Sequence, residues 1–297
     1  NRVYADDDND HFAIMPTSQF AWLRSSSYNP LYYDSAVTYS PWSPAYVGGA
    51  VVNYGNASTT AAKSHPVYGT GTMNVSADVA LTTSTNQTFM ALPGMTVPSG
   101  AQYCTHDGSA GCSTGWATAG SAFTVAAGTA LRVAMAYYPA TFYVKESCPL
   151  AEPTCVAAPD GATLKRYEIK ADVSFPSGRT HAAELQNFAN WWQYYRKRKI
   201  MLNAAIGKVL EPLTGMRMGV VVFNNRNTVT MYDTDATAAA SNGRRVAGLF
   251  YNLNGSGGTP TRETLKYIGE QFINTSSVVQ YACQRNNAFI VTDGFAN

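Results

Sequence analysis

The feature that most constrains the fold of this chain is the alternation of helical and apolar segments in its last third. A long helical pattern covers residues 183–213, and the continuous apolar run 218–223 that follows is typical of a strand covered on both faces. Another helix is predicted behind the glycine-rich loop 257–261, and the last apolar run, 288–291, leads to Asp293. Helices that alternate with buried strands predict a Rossmann-like α/β layout.

This layout predicts a metal site. In an open α/β sheet, ligands bind beyond the carboxyl ends of the strands. The hydroxyl of Thr259 and the carboxylate of Asp293 would then meet over one divalent cation, with Thr261 shaping the loop. Oxygen ligands of this kind suit Mg²⁺, Ca²⁺ or Mn²⁺. We therefore predict a metal site that contains Thr259, Asp293 and Thr261.

Composition limits the class of protein. The 297 residues are enough for one or two domains with a sizeable core, and only 13% of them are charged, which is typical of an extracellular surface. The net charge of +2 implies neither nucleic acid nor an anionic membrane as a partner. No stretch of 18 apolar residues is present, so we expect no membrane span. The start has no signal-peptide pattern, and we expect any such segment to lie upstream or to be removed.

The cysteines favour an oxidising compartment. Cys104 and Cys112 flank one turn-rich loop, and Cys148 and Cys155 flank another, so two short local disulfides are predicted, although crossed pairings stay open. Cys283 is left over and is expected to be a buried thiol. A zinc site near Cys104 is the alternative, but no second cysteine or histidine pair supports it.

The sequence gives little support to an enzyme. Ser113 lies in a G-x-S-x-G pattern, yet this pattern follows a cysteine-flanked turn instead of a buried strand. The four histidines, at positions 11, 65, 106 and 181, have neither metal-site nor triad spacing. Within the helical pattern, the basic run 196–199 is interpreted as a solvated face, with an acidic partner or nucleic acid as the alternative. We predict that the protein is not an enzyme.

Residues 1–165 have a different character, with abundant Tyr, Pro, Gly, Ser and Thr and short alternating runs that predict small β elements between long loops. One aromatic cluster stands out there. We interpret it as packing, with a binding surface as the alternative. Its members are Tyr32, Tyr33, Tyr39 and Trp42.

Six motifs, in order along the chain, resemble the N-terminal region of PilC/PilY-type pilus-tip proteins. The fourth motif is the strongest, because it is long and rich in rare residue types. The motifs are YNPLYYD with VTY and PW at 28–42, YYPATFYV at 137–144, RYEI at 166–169, LQNFANWWQYYR at 185–196, GGTPT at 257–261 and TDG at 292–294. They cover nearly the whole chain.

The resemblance implies a type IV pilus protein that is exported and displayed at the pilus tip on the cell surface. Its implied function is that of an adhesin and pilus assembly factor in adhesion, twitching motility and surface sensing. The expected partners are minor pilins, a host or abiotic surface ligand, and a C-terminal β-propeller of the same full-length protein. The GGTPT and TDG motifs are similar to two loops of the metal-ion-dependent adhesion site of von Willebrand factor A domains.

By this analogy, residues 1–165 are a large insertion and residues 166–297 are an incomplete A-type core. A-type domains begin with a buried strand that ends in Asp-x-Ser-x-Ser, and this chain lacks that motif, having only an acidic run at 6–10. We expect a chain truncated at both ends that binds Mg²⁺ or Ca²⁺ weakly, because Mg²⁺ needs six oxygen ligands. A structural pilus-tip cap or priming module that binds minor pilins without metal is the alternative.

Overall fold

A computed structural model describes residues 13–84, 87–108, 111–226, 229–235, 242–254 and 257–292. The chain forms two compact units, one made of Asn1–Pro41 and Asn56–Met201 and the other of Trp42–Gly55 and Leu202–Asn297. The predicted domain boundary at residue 165 concerns domains that fold independently, which the two compact units do not test, so it stays a prediction. Each unit is described by itself.

The first unit contains small antiparallel sheets joined by long loops, as predicted for this part of the chain. A 3-10 helix at Ser18–Arg24 precedes them. In chain order, the strands of this unit are β3 (Ala62–Lys63), β4 (Thr72–Met73), β5 (Phe89–Ala91), β6 (Thr96–Val97), β7 (Gln102–Thr105), β8 (Ala117–Thr118), β9 (Phe123–Thr124), β10 (Leu131–Ala134), β11 (Thr141–Lys145), β12 (Cys155–Ala157) and β13 (Thr163–Glu168). The largest sheet has four strands in the order β5-β10-β7-β8, and a second has three in the order β11-β13-β12.

Helix α1 (His181–Tyr194) is the centre of the first unit. It begins at Thr180, whose hydroxyl accepts a hydrogen bond from the Ala183 amide, as expected of a threonine N-cap. Most of its length is buried, including Phe188, Trp191 and Trp192. A helix that is buried on nearly all sides needs neighbours on every face. Loops and sheet strands of the same unit supply them.

The second unit packs a β-hairpin against a helix. The hairpin strands β1 (Ala45–Val47) and β2 (Ala50–Val52) pair antiparallel, and β1 lies against α3 (Asn242–Tyr251). Trp42, Tyr54 and the fully buried Tyr251 form an aromatic cluster, with the ring centres of Trp42 and Tyr251 4.4 Å apart. The other elements here are β14 (Arg217–Met218), β15 (Tyr232–Asp233) and α4 (Thr261–Asn274). Helix α2 (Arg198–Leu210) runs across the boundary between the units.

The predicted Rossmann-like α/β fold is wrong. Within the described ranges, every paired strand is antiparallel, and no parallel central sheet is present. Of the first apolar run, only Met218 lies in a strand, Arg217–Met218, which pairs antiparallel with Tyr232–Asp233. Residues 288–292 are mostly exposed and pair with no strand. An apolar run indicates a strand only where a neighbouring strand covers it, and the sequence pattern does not show whether one is present.

Other local predictions have mixed outcomes. The helix behind the glycine-rich loop is confirmed as α4, whereas the long helical pattern of 183–213 is divided between α1 and α2. Cys283 is exposed, so the prediction of a buried thiol is wrong. No helix in the described ranges has the length and apolar character needed to cross a membrane.

Candidate functional site

The predicted metal loop lies where α4 begins. Thr259 precedes the helix, Pro260 occupies its N-cap position and Thr261 is its first residue. The Thr261 hydroxyl donates to the carbonyl oxygen of Thr259 at 3.4 Å. The amino end of a helix carries a partial positive charge, so a cation here needs nearby carboxylates to offset it. Asp293, the predicted acid of this site, lies outside the described residues.

A second loop holds the glycine-rich segment in place. The Asn224 side-chain amide donates to the Gly258 carbonyl at 2.7 Å, and Arg226 pairs with Glu263 at 3.0 Å. Gly257 has a φ of +88°, and a Cβ there would lie 2.8 Å from the Asn224 amide nitrogen. Glycine is thus required at 257 both for its conformation and for this close approach. Glu263, the acid in the first turn of α4, is engaged by the arginine.

The described residues do not form a ready-made metal site. They contain no group of three or more His, Cys, Asp or Glu side chains that could hold an ion. The structure places Thr259 and Thr261 next to each other and leaves Asp293 untested. The assignment of these three residues to a cation therefore stays a prediction.

Four of the six motifs meet in one aromatic core in the first unit. Tyr33 lies at its centre, with ring centres 5.0 Å from Phe188, 5.2 Å from Phe142 and 5.9 Å from Trp191. Phe142 in turn stacks on Tyr167 at 5.4 Å. These residues come from YNPLYYD, YYPATFYV, RYEI and LQNFANWWQYYR. The structure also buries Tyr32, Tyr33 and Trp42, which supports packing as the role of the early aromatic cluster.

Four buried polar side chains at three-residue spacing form a row that winds around α1. Residues three apart are neighbours on the surface of a helix. Asn187 accepts from the Tyr39 amide and donates to the Val37 carbonyl, whereas Asn190 accepts from the Ala57 amide and donates to the Tyr39 carbonyl. The row therefore holds long loops that have little hydrogen bonding of their own. Its members are Glu184, Asn187, Asn190 and Gln193.

Glu184 starts this row and is completely buried. Its carboxylate accepts hydrogen bonds from Tyr33 at 2.8 Å, Ser177 at 2.7 Å and Arg179 at 3.2 Å. Burial, followed by the charge of Glu184, raises the pKa of the Tyr33 phenol. The phenol therefore stays a donor, and the buried carboxylate has both a cation and neutral donors, which is what a buried charge requires.

A cleft of about 290 Å³ opens elsewhere in the first unit, beside β11 and β13. Its walls carry both signs of charge together with aromatic rings. Arg24 and Tyr143 line the cleft but are buried, with exposed fractions of 3% and 5%, so only a small part of each side chain is accessible. The charged and phenolic residues of the lining are Arg24, Asp78, Tyr137, Tyr138, Tyr143, Arg166 and Glu168.

Both signs of charge act on the phenols of the cleft. Burial raises the pKa of Tyr143, and the guanidinium groups of Arg166 and Arg24 act against that rise. Burial also raises the pKa of Tyr138 to about 12, and the carboxylates of Asp78 and Glu168 add to it. The charge of Glu168 therefore acts on both phenols, and the two arginines act on Tyr143. Both phenols are protonated at neutral pH.

Sequence reasoning missed this cleft as a site. The YYPATFYV and RYEI motifs, which contain five of its charged and phenolic residues, are interpreted from the sequence only as family signatures. The alternation of strand residues could have indicated that Arg166 and Glu168 share a face of β13, because side chains two apart point the same way. Nothing in the sequence places the distant Arg24 and Asp78 beside them.

The two predicted disulfides are present, Cys104–Cys112 and Cys148–Cys155, and the crossed pairings are excluded. Each closes a short loop, and His106 and Cys112 form a β-bridge within the first loop. Disulfides of this kind persist in oxidising compartments. They are consistent with a location outside the cytoplasm.

Comparison with known proteins gives no assignment, because no family model, no curated protein and no solved structure matches this chain.

Proposed function

We propose that this protein is a type IV pilus tip-associated adhesin and assembly factor that acts by binding partner proteins and surfaces. The observation that carries the proposal is the ordered motif series, four of whose members pack against one another in one core. Motifs that match by chance would have no reason to be neighbours in space. The two disulfides agree with an exported protein.

The proposal keeps the partners implied by the resemblance, namely minor pilins at the tip and a surface ligand. It does not rest on a Rossmann-like sheet. The aromatic core and the polar row of α1 would supply a rigid frame, and the loops that they fix would carry the contacts. Binding residues are often found on loops held by a rigid scaffold.

Deletion and complementation in the encoding bacterium test this function. We expect deletion to reduce surface piliation and twitching, and antibodies against this chain to label pilus tips. The intact gene and the Glu270→Gln variant, which changes an exposed acid of α4, should restore both properties. Normal piliation, twitching and adhesion without the gene, with the chain absent from sheared pili, would overturn the proposal.

The structural alternative, a tip cap or priming module that needs no metal, is favoured by one observation. The loop at α4 presents hydroxyls, and its nearest acid, Glu263, is paired with Arg226. Adhesion of the complemented strain should be measured with and without a chelator. Loss of adhesion with chelator supports a metal-dependent adhesin, whereas unchanged adhesion and intact capture of minor pilins support the cap.

A further inference from the structure

We propose that the cleft beside β11 and β13 binds a small carboxylate that also carries a hydroxyl or ammonium group. This inference is independent of the pilus assignment. The site is built from both signs of charge: Arg24 and Arg166 would hold the carboxylate, and Asp78 and Glu168 would accept from the hydroxyl or ammonium group. Arginine is well suited to the first task, because its planar guanidinium matches a carboxylate.

The strongest indication of a ligand is the Tyr143 hydroxyl. The ring belongs to a buried cluster with Ala21, Ala158 and Leu164, so the side chain is fixed. Within the described part of the chain its hydroxyl has no hydrogen-bond partner, although the residue is only 5% exposed and lines the cleft. The hydroxyl oxygen is not itself fully buried, so it is open to the cleft and available to a partner there. A ligand oxygen in the cleft would provide one.

Arg166 is also available. Its guanidinium has a single described ion-pair contact, with Glu168 at 3.9 Å, and its side chain is 42% exposed. Glu168 pairs more closely with Lys170, at 2.6 Å. An incoming carboxylate could therefore engage Arg166 without breaking a short ion pair. A carboxylate has about four acceptor positions, so Glu168 can accept from a ligand while it keeps Lys170.

The size of the cleft sets the size of the ligand. A volume of about 290 Å³ lies at the lower end of the range for small-molecule sites, roughly 300–1,000 Å³. It suits an α-amino acid or a single uronic acid, which share a carboxylate next to hydrogen-bond donors. The Tyr137 and Tyr138 rings would cover the carbon skeleton between the ligand's carboxylate and its hydroxyl or ammonium group.

Calorimetric titration of the full chain with two matched pairs of probes tests this site. The pairs are D-glucuronate with its methyl ester, and L-alanine with its methyl ester; each ester replaces the carboxylate charge with a neutral group that is larger by one methyl. We expect one or both acids to bind, each ester to bind at least tenfold more weakly, and added salt to weaken binding of the acids. The acid that binds identifies the source of the carboxylate.

Two variants and two controls locate the binding. Tyr143→Phe keeps the buried ring and should weaken binding roughly tenfold, because a hydrogen bond to a charged group is lost. Arg166→Gln should weaken it at least as much. Tyr167→Phe and Lys165→Gln change the same strand outside the cleft and should bind as the wild type does. Failure of both acids to bind at millimolar concentration, equal binding of acid and ester, or unchanged affinity in both cleft variants would overturn the proposal.

Discussion

At the scale of single residues, the first unit depends on a few buried polar side chains that organise long loops. Asn187 and Asn190 each bond two backbone groups of segments more than 130 residues earlier in the chain. A buried backbone group without a partner costs free energy comparable to that of a lost hydrogen bond. The loops can therefore be long and irregular, because helix side chains replace the missing strand neighbours.

Glu184→Ala tests the most buried of these side chains. The change leaves Arg179 without its buried carboxylate and removes the acceptor of Tyr33 and Ser177, so we expect a loss of about 3–5 kcal/mol in the free energy of unfolding. Glu184→Gln retains one acceptor oxygen and should lose less. Urea unfolding followed by tryptophan fluorescence measures the first unit, which holds four of the five tryptophans.

The control for this prediction is Glu263→Gln. Glu263 pairs with Arg226, but its side chain is 69% exposed, and surface ion pairs contribute at most about 1 kcal/mol. We expect little change in the unfolding midpoint. A Glu184→Ala variant as stable as this control would show that the buried carboxylate does not organise the core.

His65 should make the first unit sensitive to acid. Its Nδ1 accepts from the amides of Val67 and Tyr68, and burial, assisted by the charges of Lys199 and Lys197, lowers its pKa from 6.5 to about 3. The unfolded chain therefore binds a proton below about pH 6.5 that the folded chain does not bind until about pH 3. Stability from this residue is complete above pH 6.5 and falls as the pH is lowered through that window.

His65→Asn removes the titrating ring while its side-chain oxygen can still accept the two amide bonds. We expect the stability of the variant relative to the wild type to rise by about 2.7 kcal/mol between pH 7.5 and pH 4.5, because the two pH units between 6.5 and 4.5 each correspond to about 1.36 kcal/mol. Urea unfolding at both pH values measures it. Parallel pH profiles of the two proteins would contradict the prediction, and carboxylates common to both proteins cancel in the comparison.

At the scale of elements, helices α1 and α4 and the small strands of the first unit were predictable, because period and turn residues are local properties. The predicted central sheet, in contrast, is absent from the described ranges. The apolar runs at 218–223 and 288–291 have the composition of buried strands, but the structure leaves the second one exposed and unpaired. Whether an apolar run becomes a central strand depends on neighbours far away in sequence, and a local pattern does not contain that information.

The packing around two helical glycines of the second unit predicts that substitution by alanine destabilises the protein at one position and stabilises it at the other. A Cβ at Gly248 of α3 would lie 1.9 Å from the Tyr46 carbonyl oxygen of β1, whereas a Cβ at Gly269 of α4 would meet nothing within 4 Å. Gly248→Ala should separate the hairpin from α3 and destabilise the unit by several kcal/mol, at or beyond the about 1–3 kcal/mol typical of overpacking. Gly269→Ala should stabilise by about 0.5–1 kcal/mol, because alanine favours the helix.

Hydrogen exchange measured by mass spectrometry resolves the two effects. Amides of α3 and of the hairpin should exchange faster in Gly248→Ala, and amides of α4 should exchange more slowly in Gly269→Ala. Equal protection of α3 in the wild type and Gly248→Ala would mean that the close approach of helix and hairpin is not maintained in solution.

At the scale of the whole molecule, the sequence predicted the disulfides, which are consistent with a location outside the cytoplasm, better than it predicted the sites. Disulfide pairing between close cysteines is a local inference, and both pairs are confirmed. The cleft joins Arg24 and Asp78 to residues near 140 and 166, and only the folded chain brings them together. The metal prediction combined a loop that the structure describes with an acid, Asp293, that lies outside the described residues.

The combination of the Thr259 loop with Asp293 leads to a prediction about cation binding. A cation bound only by the folded state raises stability by about 2.7 kcal/mol at a concentration of about one hundred times the dissociation constant. Thermal melts with Mg²⁺, Mn²⁺ or Ca²⁺ against chelator measure this gain. We expect it to be small, because this chain lacks the Asp-x-Ser-x-Ser motif. Asp293→Ala should abolish it, whereas Glu270→Ala, an exposed acid of α4, should leave it unchanged.

The result separates two physical cases. The amino end of α4 carries partial positive charge, and the acid nearest to it is paired with Arg226. Hydroxyls alone would then leave a divalent cation underliganded, so any stabilisation must come with a carboxylate. If Asp293→Ala responds to cations as the wild type does, the ion lies elsewhere, and the glycine-rich loop is a structural contact with Asn224. If the response is lost in that variant and kept in Glu270→Ala, the acid and the loop form one site.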